Sequence, residues 1–98
     1  MRVFSRSTLV TFWTAHADAQ EPLRAWFHEA KKAAWQTPRD IRDAYASASF
    51  VAGDRVVFNI KGNTYRLIVH VAYGPLFNVF IRFIGTHAEY DKIDAATI

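Results

Sequence analysis

Residues 55–84 read RVVFNIKGNTYRLIVHVAYGPLFNVFIRFI, and along this stretch side chains alternate between two sets with a period of two. That period is typical of β-strands that bury one face. Gly62-Asn63 and Gly74-Pro75 interrupt the alternation with residues that favour turns. The stretch therefore predicts three strands, 55–61, 64–73 and 77–84, which short turns join into an antiparallel meander.

The alternation also assigns each side chain to one face of the predicted sheet. One face is apolar throughout: Val56, Phe58, Ile60, Tyr65, Leu67, Val69, Val71, Tyr73, Phe77, Val79, Ile81 and Phe83. The other face is mixed: Arg55, Val57, Asn59, Lys61, Arg66, Ile68, His70, Ala72, Asn78, Phe80, Arg82 and Ile84. We expect helices to cover the apolar face and the mixed face to be the exposed working surface.

The residues before this stretch have helical spacing. Leu9, Phe12, Trp13 and His16 predict a first helix, with Ser5 or Ser7 as its cap. A second helix is predicted from the cap spacing of Asp18 and Glu21, followed by Pro22, and its buried stripe is Leu23, Trp26, Phe27 and Ala30. A short helical piece over 39–45 and an edge strand over 1–4 complete the prediction.

The expected fold is one α+β domain over residues 1–98, with two N-terminal helices packed on one face of a small antiparallel sheet and a short C-terminal helix. The composition suits such a domain, because 51% of the 98 residues are hydrophobic and 15% are aromatic.

Composition also excludes several classes of site. The chain contains no cysteine, which excludes disulfides and thiol chemistry, and its four histidines lack metal-binding spacing. No cofactor or metal is expected. No apolar run approaches the roughly 20 residues that span a bilayer, so we expect a cytoplasmic protein without a membrane partner. The net charge of +3 favours an anionic partner.

Arg66 and Arg82 are candidates for binding phosphate. An arginine inside an apolar strand is costly to bury unless it meets an anion, and its planar guanidinium matches phosphate oxygens. Lys61 and His70 lie near them on the predicted mixed face. The alternative is that each arginine forms an internal salt bridge or extends its charged end into water.

Residues 86–92, THAEYDK, form the second candidate group. Thr86 and Glu89 have capping-box spacing, which predicts a short helix from His87. His87, Tyr90 and Asp91 would then share one helical face, with a neutral His87 as general base and Tyr90 as a proton donor or stacking group. The alternative is a helix that only packs on the sheet, with Tyr90 buried and His87 solvated.

The strings VFNIKGNTYRL at 57–67 and FIRFIGTHAEYDKID at 80–94 closely resemble HigB toxins of bacterial type II toxin–antitoxin pairs. The resemblance extends to Phe4-Ser5, Trp35, Pro38 and Ser49-Phe50. HigB proteins belong to the RelE/ParE superfamily, which implies a compact α+β fold with helices packed on an antiparallel sheet.

This resemblance implies a metal-independent endoribonuclease that cuts mRNA in the ribosomal A site. It also implies a HigA-type helix-turn-helix antitoxin as the partner. Operator DNA would be bound only through this antitoxin. Arg66 and Arg82 would bind the phosphate, His87 and Tyr90 would transfer protons or stack on a base, and Asp91 would orient one of them. The further implied RNA contacts are Lys31, Lys32, Lys61, Asn63, His70 and Lys92.

Two other functions remain open from the sequence. A ParE-like relative would poison DNA gyrase and would have no use for the His87, Tyr90 and Asp91 group. A non-catalytic RNA-binding or antitoxin-like module would bind RNA, with strong salt dependence, and leave it uncut.

Overall fold

The computed structural model of the protein describes residues 1–98. The elements, in chain order, are β1 (Arg2–Phe4), α1 (Arg6–Ala15), a 3-10 turn (Ala17–Ala19), α2 (Gln20–Lys32), α3 (Pro38–Ala44), β2 (Ser49–Val51), β3 (Arg55–Ile60), β4 (Tyr65–Ala72), β5 (Asn78–Thr86) and α4 (His87–Tyr90). The fold is α+β, as predicted. None of the helices has the length and apolar character needed to cross a membrane.

The five strands form one mixed sheet in the order β1-β5-β4-β3-β2. The predicted meander is present, because β3, β4 and β5 pair antiparallel. The prediction of a wholly antiparallel sheet is wrong, since the edge strand β1 runs parallel to β5, with Arg2 opposite Asn78. Strand β2 was not predicted and pairs with β3. Its three residues are too few to show a period of two.

The main hydrophobic core lies on the apolar face of the sheet. Leu9 of α1, together with Leu23 and Trp26 of α2, shares this core with the strand residues Phe58 and Leu67. All five side chains are at most 2% exposed. Seventeen buried residues form this core, and full burial of one large apolar side chain stabilises the fold by about 1.5–3 kcal/mol.

A β-bulge in β5 changes the predicted faces. Ile68 pairs with Phe83, but the next residue, Val69, pairs with Ile81, so Arg82 is an extra residue on β5. A bulge of this kind reverses the alternation beyond it. Phe83 therefore packs on the mixed face, while Ile84 packs against the main core. The predicted faces of Phe83 and Ile84 are wrong.

The mixed face is partly covered by residues that follow α4. Ala95 packs on Val57 and Ile68 in a second hydrophobic cluster, to which Tyr90 and Ile93 also belong. Nearby, the Arg55 side chain donates two hydrogen bonds, 2.8 and 3.2 Å long, to the carbonyl oxygen of Ile98. The prediction of a fully exposed mixed face is therefore wrong over this half of the sheet.

The helix starts agree with the prediction only in part. α3 begins at Pro38 with a capping box between Thr37 and Asp40. Ser5 occupies the cap position of α1, but its side chain makes no capping bond. α2 begins at Gln20, so Asp18 does not cap it and lies instead in the 3-10 turn.

Candidate functional site

Arg66, on β4, lies at the centre of a group of polar side chains at one end of the sheet. Its Nη2 atom is 2.6 Å from Asn63 Oδ1 and 2.7 Å from His87 Nε2. Its Nη1 atom donates to the Asn63 carbonyl oxygen at 3.2 Å. A guanidinium has no acceptor atom, so this contact is a hydrogen bond in the tautomer in which His87 Nε2 is the acceptor.

The other side of the His87 ring faces Asp91. The distance from His87 Nδ1 to Asp91 Oδ2 is 3.7 Å, too long for a direct hydrogen bond but close enough for an ion pair when the imidazole is protonated. The Tyr90 ring meets the His87 ring edge-on, with 6.5 Å between centroids. Arg66 lies 5.9 Å from the Tyr90 ring centroid, in cation–π geometry.

We call Asn63, Arg66, His87, Tyr90 and Asp91 the Arg66 cluster. Its members come from the loop between β3 and β4, from β4 itself and from α4 with the residue after it. The side chains of His87 and Asp91 are 49% and 66% exposed, so a ligand can reach them. The predicted common face of His87, Tyr90 and Asp91 agrees with this arrangement.

The capping box of α4 places His87 beside Arg66. Thr86 Oγ1 accepts from the Glu89 N–H at 3.2 Å, and Glu89 Oε1 accepts from the Thr86 N–H at 2.9 Å. These bonds with Thr86 lower the pKa of Glu89. The cap starts the helix immediately after β5, where Gly85 pairs with Arg66. A Cβ on Gly85 would lie 2.4 Å from the Phe83 ring, so any larger residue there would have to displace that ring.

Arg82 lies outside the Arg66 cluster and makes no hydrogen bond or ion pair. Its guanidinium carbon is 5.8 Å from the Phe80 ring centroid. In the sheet, the Ile68–Phe83 pair separates Arg82 from the Arg66–Gly85 pair. The structure therefore does not bring the two arginines together into the predicted phosphate cradle.

Phe80 is the middle of a row of stacked rings on the mixed face. The Phe4 ring stacks on it at 5.1 Å and the His70 ring at 5.8 Å. Arg2 lies 5.4 Å from the Phe4 ring centroid. We call Arg2, Phe4, His70, Phe80 and Arg82 the Phe80 stack. Burial and the guanidinium groups of Arg55 and Arg82 lower the pKa of His70, which favours the neutral form of its ring.

Lys61 is turned away from the Arg66 cluster. Its Nζ atom is 2.6 Å from Asp18 Oδ2, and the same carboxylate accepts from the Tyr65 hydroxyl. Tyr65 belongs to the main core, so this contact lies on the helical side of the sheet. Lys61 is also not a strand residue as predicted, since β3 ends at Ile60 and Lys61 begins the following loop.

The remaining predicted RNA contacts lie apart from one another. Lys92 follows α4 and is exposed beside the Arg66 cluster. Lys31 and Lys32 end α2, where the Lys31 carbonyl oxygen accepts from the Met1 amino group at 3.3 Å. Because β1 pairs with the first residues of β5 and His87 follows the last, Lys31 and Lys32 lie at the opposite end of β5 from the Arg66 cluster. No group of three His, Asp or Glu side chains converges to hold a metal ion.

A family model described as HigB_toxin, the RelE-like toxic component of a toxin–antitoxin system, matches residues 19–93. The chain belongs to the HigB toxin family. The matched residues contain the whole Arg66 cluster and leave out Arg2 and Phe4. Membership makes the protein a toxin of a toxin–antitoxin system, with an antitoxin as its partner. No curated protein matches the chain.

Sequence reasoning about this HigB toxin missed two members of the Phe80 stack, Arg2 and Phe4, and it did not single out Phe80. A signal was present for Phe80, because the period of two places it on the mixed face between Asn78 and Arg82. For Arg2 and Phe4 the signal was weak, because the pairing of a strand of only three residues is determined by the rest of the fold and not by its own sequence.

Proposed function

We propose that this HigB-family toxin is a metal-independent endoribonuclease that cuts mRNA in the ribosomal A site in the cytoplasm, and that a HigA-type helix-turn-helix antitoxin neutralises it and carries it to operator DNA. The observation that carries the proposal is the 2.7 Å contact between Arg66 Nη2 and His87 Nε2. It places a proton acceptor next to a permanent cation at an exposed site. RelE-like toxins generally act as endoribonucleases, which supports the same reading.

The cleavage needs three groups. In the reaction, the ribose 2′-oxygen bonds to the adjacent phosphorus while the bond from phosphorus to the 5′-oxygen breaks, leaving a cyclic phosphate and a free 5′-hydroxyl. A base must take the 2′-hydroxyl proton, cations must stabilise the negative phosphorane oxygens, and an acid must protonate the 5′-oxygen.

His87 is the proposed base. Substrate binding would exchange its contact with Arg66 for one with the 2′-hydroxyl, and Nε2 would then take the proton. Asp91, 3.7 Å from Nδ1, would stabilise the resulting imidazolium. This exchange frees the Arg66 guanidinium to donate two parallel hydrogen bonds to the phosphorane oxygens.

Tyr90 and Asn63 complete the proposed assignment. The Tyr90 hydroxyl would donate its proton to the leaving 5′-oxygen. Asn63 would hold Arg66 in place through its 2.6 Å contact with Nη2. Arg82 would bind a phosphate away from the scissile bond, because it lies outside the Arg66 cluster.

The other predicted RNA contacts keep smaller proposed roles. Lys92 would meet the backbone next to the scissile nucleotide, and His70 would meet RNA within the Phe80 stack. Lys61 would have to leave Asp18 to reach RNA. Lys31 and Lys32 would contact RNA at the opposite end of the sheet.

Primer extension on a translated message after induction tests the proposal. We expect new 5′ ends in the message for the wild-type protein and a loss of roughly 10²- to 10⁴-fold in cutting for His87→Ala. Tyr90→Phe should also slow cutting. His28→Ala, an exposed histidine of α2, is the matched control and should cut normally. Co-expression of the neighbouring reading frame should abolish cutting if that frame encodes the antitoxin.

Three results would contradict the proposal. Undiminished cutting by both the His87 and Tyr90 variants would remove the site. Intact messages together with DNA breaks would indicate a gyrase poison. Salt-sensitive RNA binding without any cutting would indicate a non-catalytic module.

A further inference from the structure

The Phe80 stack places aromatic rings and cations in the open part of the mixed face. Phe4, Phe80 and His70 come from three neighbouring strands, β1, β5 and β4, and their rings stack in sequence with interplanar angles of 13° and 23°. Near-parallel rings form a continuous apolar surface. Phe4 is 36% exposed, and among the large hydrophobic side chains only Leu76 is more exposed.

Two guanidinium groups flank this surface. Arg2 lies over Phe4 and Arg82 over Phe80, both side chains are exposed, and neither forms an ion pair or a hydrogen bond. The arginines therefore have all their donors free for an anionic ligand. The Nδ1 atom of His70 is also buried without a partner.

The location relates the Phe80 stack to the Arg66 cluster. The residues after α4 cover the other half of the mixed face, over Val57 and Ile68, and leave the Phe80 stack open. Along β4, His70 lies four residues from Arg66, a distance of about 13 Å at the usual rise of a strand. When one nucleotide of an RNA strand reacts at the Arg66 cluster, it is therefore a neighbouring nucleotide of the same strand that can lie on the Phe80 stack.

We propose that the Phe80 stack is a second RNA subsite, which takes an unpaired base on its rings and the adjoining phosphates on Arg2 and Arg82. Unpaired bases stack on aromatic side chains with little regard to sequence, and arginines bind the phosphates beside them. The inference rests on the proposed function for its substrate, and it adds a site that the Arg66 cluster does not need for the chemical step.

The choice of RNA over a protein partner rests on the charges. The two arginines of the stack have no acidic partner, which favours a polyanion as the ligand. The acidic side chain that acts on the pKa of His70 is Asp54, which immediately precedes β3. The base could come from the message or from ribosomal RNA, since both present unpaired nucleotides with the same chemistry.

Fluorescence of 2-aminopurine in a short unpaired RNA tests the subsite on the His87→Ala protein, which should bind RNA without cutting it. We expect binding to quench the fluorescence, because stacking does so. Phe80→Leu and Phe4→Leu should each weaken binding on the order of tenfold, and Arg2→Gln and Arg82→Gln should each lower the salt slope by about one phosphate contact.

Two control variants match these changes. Leu76→Ser alters the other exposed hydrophobic side chain, which is 67% exposed, and Arg39→Gln removes an exposed arginine of α3. Both should bind RNA as the parent protein does. Thermal unfolding of Phe80→Leu and Phe4→Leu checks that the fold persists, and Phe4→Leu is the safer of the two because Phe4 is more exposed.

Binding to ribosomes without message separates the two sources of the base. If Phe80→Leu binds these ribosomes more weakly but binds the oligonucleotide normally, the base belongs to ribosomal RNA. If it binds the oligonucleotide more weakly but binds the ribosomes normally, the base belongs to the message. Unchanged binding to both, or a loss of antitoxin binding instead, overturns the inference. These outcomes are independent of the proposed function, which fails when the wild-type protein leaves translated messages uncut.

Discussion

Arg66 shows how much the Arg66 cluster depends on the shape of one side chain. Its planar guanidinium reaches Asn63 and His87 with the same nitrogen atom, Nη2, and lies over the ring of Tyr90. A lysine at this position would keep the charge but would have one ammonium group in place of the fork. The role of Arg66 is therefore sensitive to a substitution that preserves charge.

Arg66→Lys should lower the rate of RNA cutting by roughly 10²- to 10³-fold, the usual loss when one donor to a developing negative charge is removed. Single-turnover cleavage in a reconstituted translation reaction measures the rate. Arg39→Lys, on the exposed side of α3, is the matched control. A near-wild-type rate for Arg66→Lys would show that charge alone suffices at this position.

At the scale of elements, β5 and α4 together determine what the mixed face presents. The bulge at Arg82 turns Phe83 onto that face, where it separates Arg82 from Arg66. The capping box then begins α4 directly after the strand. The bulge at Arg82 and the capping box of α4 thus place Arg66 in the Arg66 cluster and Arg82 in the Phe80 stack.

Thr86→Val should slow cutting while hardly changing global stability. It removes the acceptor for the Glu89 N–H, and the loss of an N-cap costs about 1 kcal/mol, enough to loosen a helix of one turn. Hydrogen exchange over residues 85–92 should become faster. Thr11→Val, on the exposed side of α1, should change neither property. Unchanged exchange in Thr86→Val would show that the cap does not hold α4.

The contact between the 3-10 turn and the loop after β3 should give stability that depends on pH. Hydrogen bonds from Lys61 and Tyr65 lower the pKa of Asp18 below its ordinary value of 3.8. A carboxylate with a lowered folded-state pKa stabilises the fold above its unfolded pKa, and this stabilisation is lost as the pH falls through the folded-state pKa.

The difference in Tm between the wild-type protein and Asp18→Asn should therefore be largest above about pH 5 and shrink below pH 3.8. Circular dichroism melts between pH 3 and pH 7 measure it. Asp43→Asn, on the exposed side of α3, should show no such trend. A constant difference across this range would contradict the role of the Asp18 charge.

At the scale of the whole molecule, apolar side chains pack on both faces of the sheet. The main core includes residues of α1, α2 and α3, and the second cluster forms where Ala95 and Ile93 return over β3 and β4. Tyr90 packs against this second cluster and also lies beside Arg66. The packing of residues 93–95 on the sheet therefore helps to hold Tyr90 in its position beside Arg66.

Ala95→Asp should destabilise the protein by roughly 1–3 kcal/mol, because it places a carboxylate against Val57 and Ile68. Urea unfolding measures the change, and cutting should fall with it as Tyr90 loses its support. Ala25→Asp, on the exposed side of α2, is the matched control. Equal stability of the two variants would show that the second cluster contributes little.

Features that depend on neighbours a few residues apart could be predicted from the sequence. The period of two predicted the three-strand meander, and the Thr86 to Glu89 spacing predicted α4, with His87, Tyr90 and Asp91 on one face. Each of these follows from contacts within one strand, one turn or one helical turn.

Four features depend on long-range packing and could not be predicted: the parallel pairing of β1, the bulge at Arg82, the cover over half of the mixed face, and the pairing of Lys61 with Asp18, 43 residues away. Such contacts join distant parts of the chain, and their free energy comes from packing between elements and not from any local pattern. For the same reason the sequence identified Arg66 and Arg82 as candidates, while the fold determined that they serve different parts of the surface.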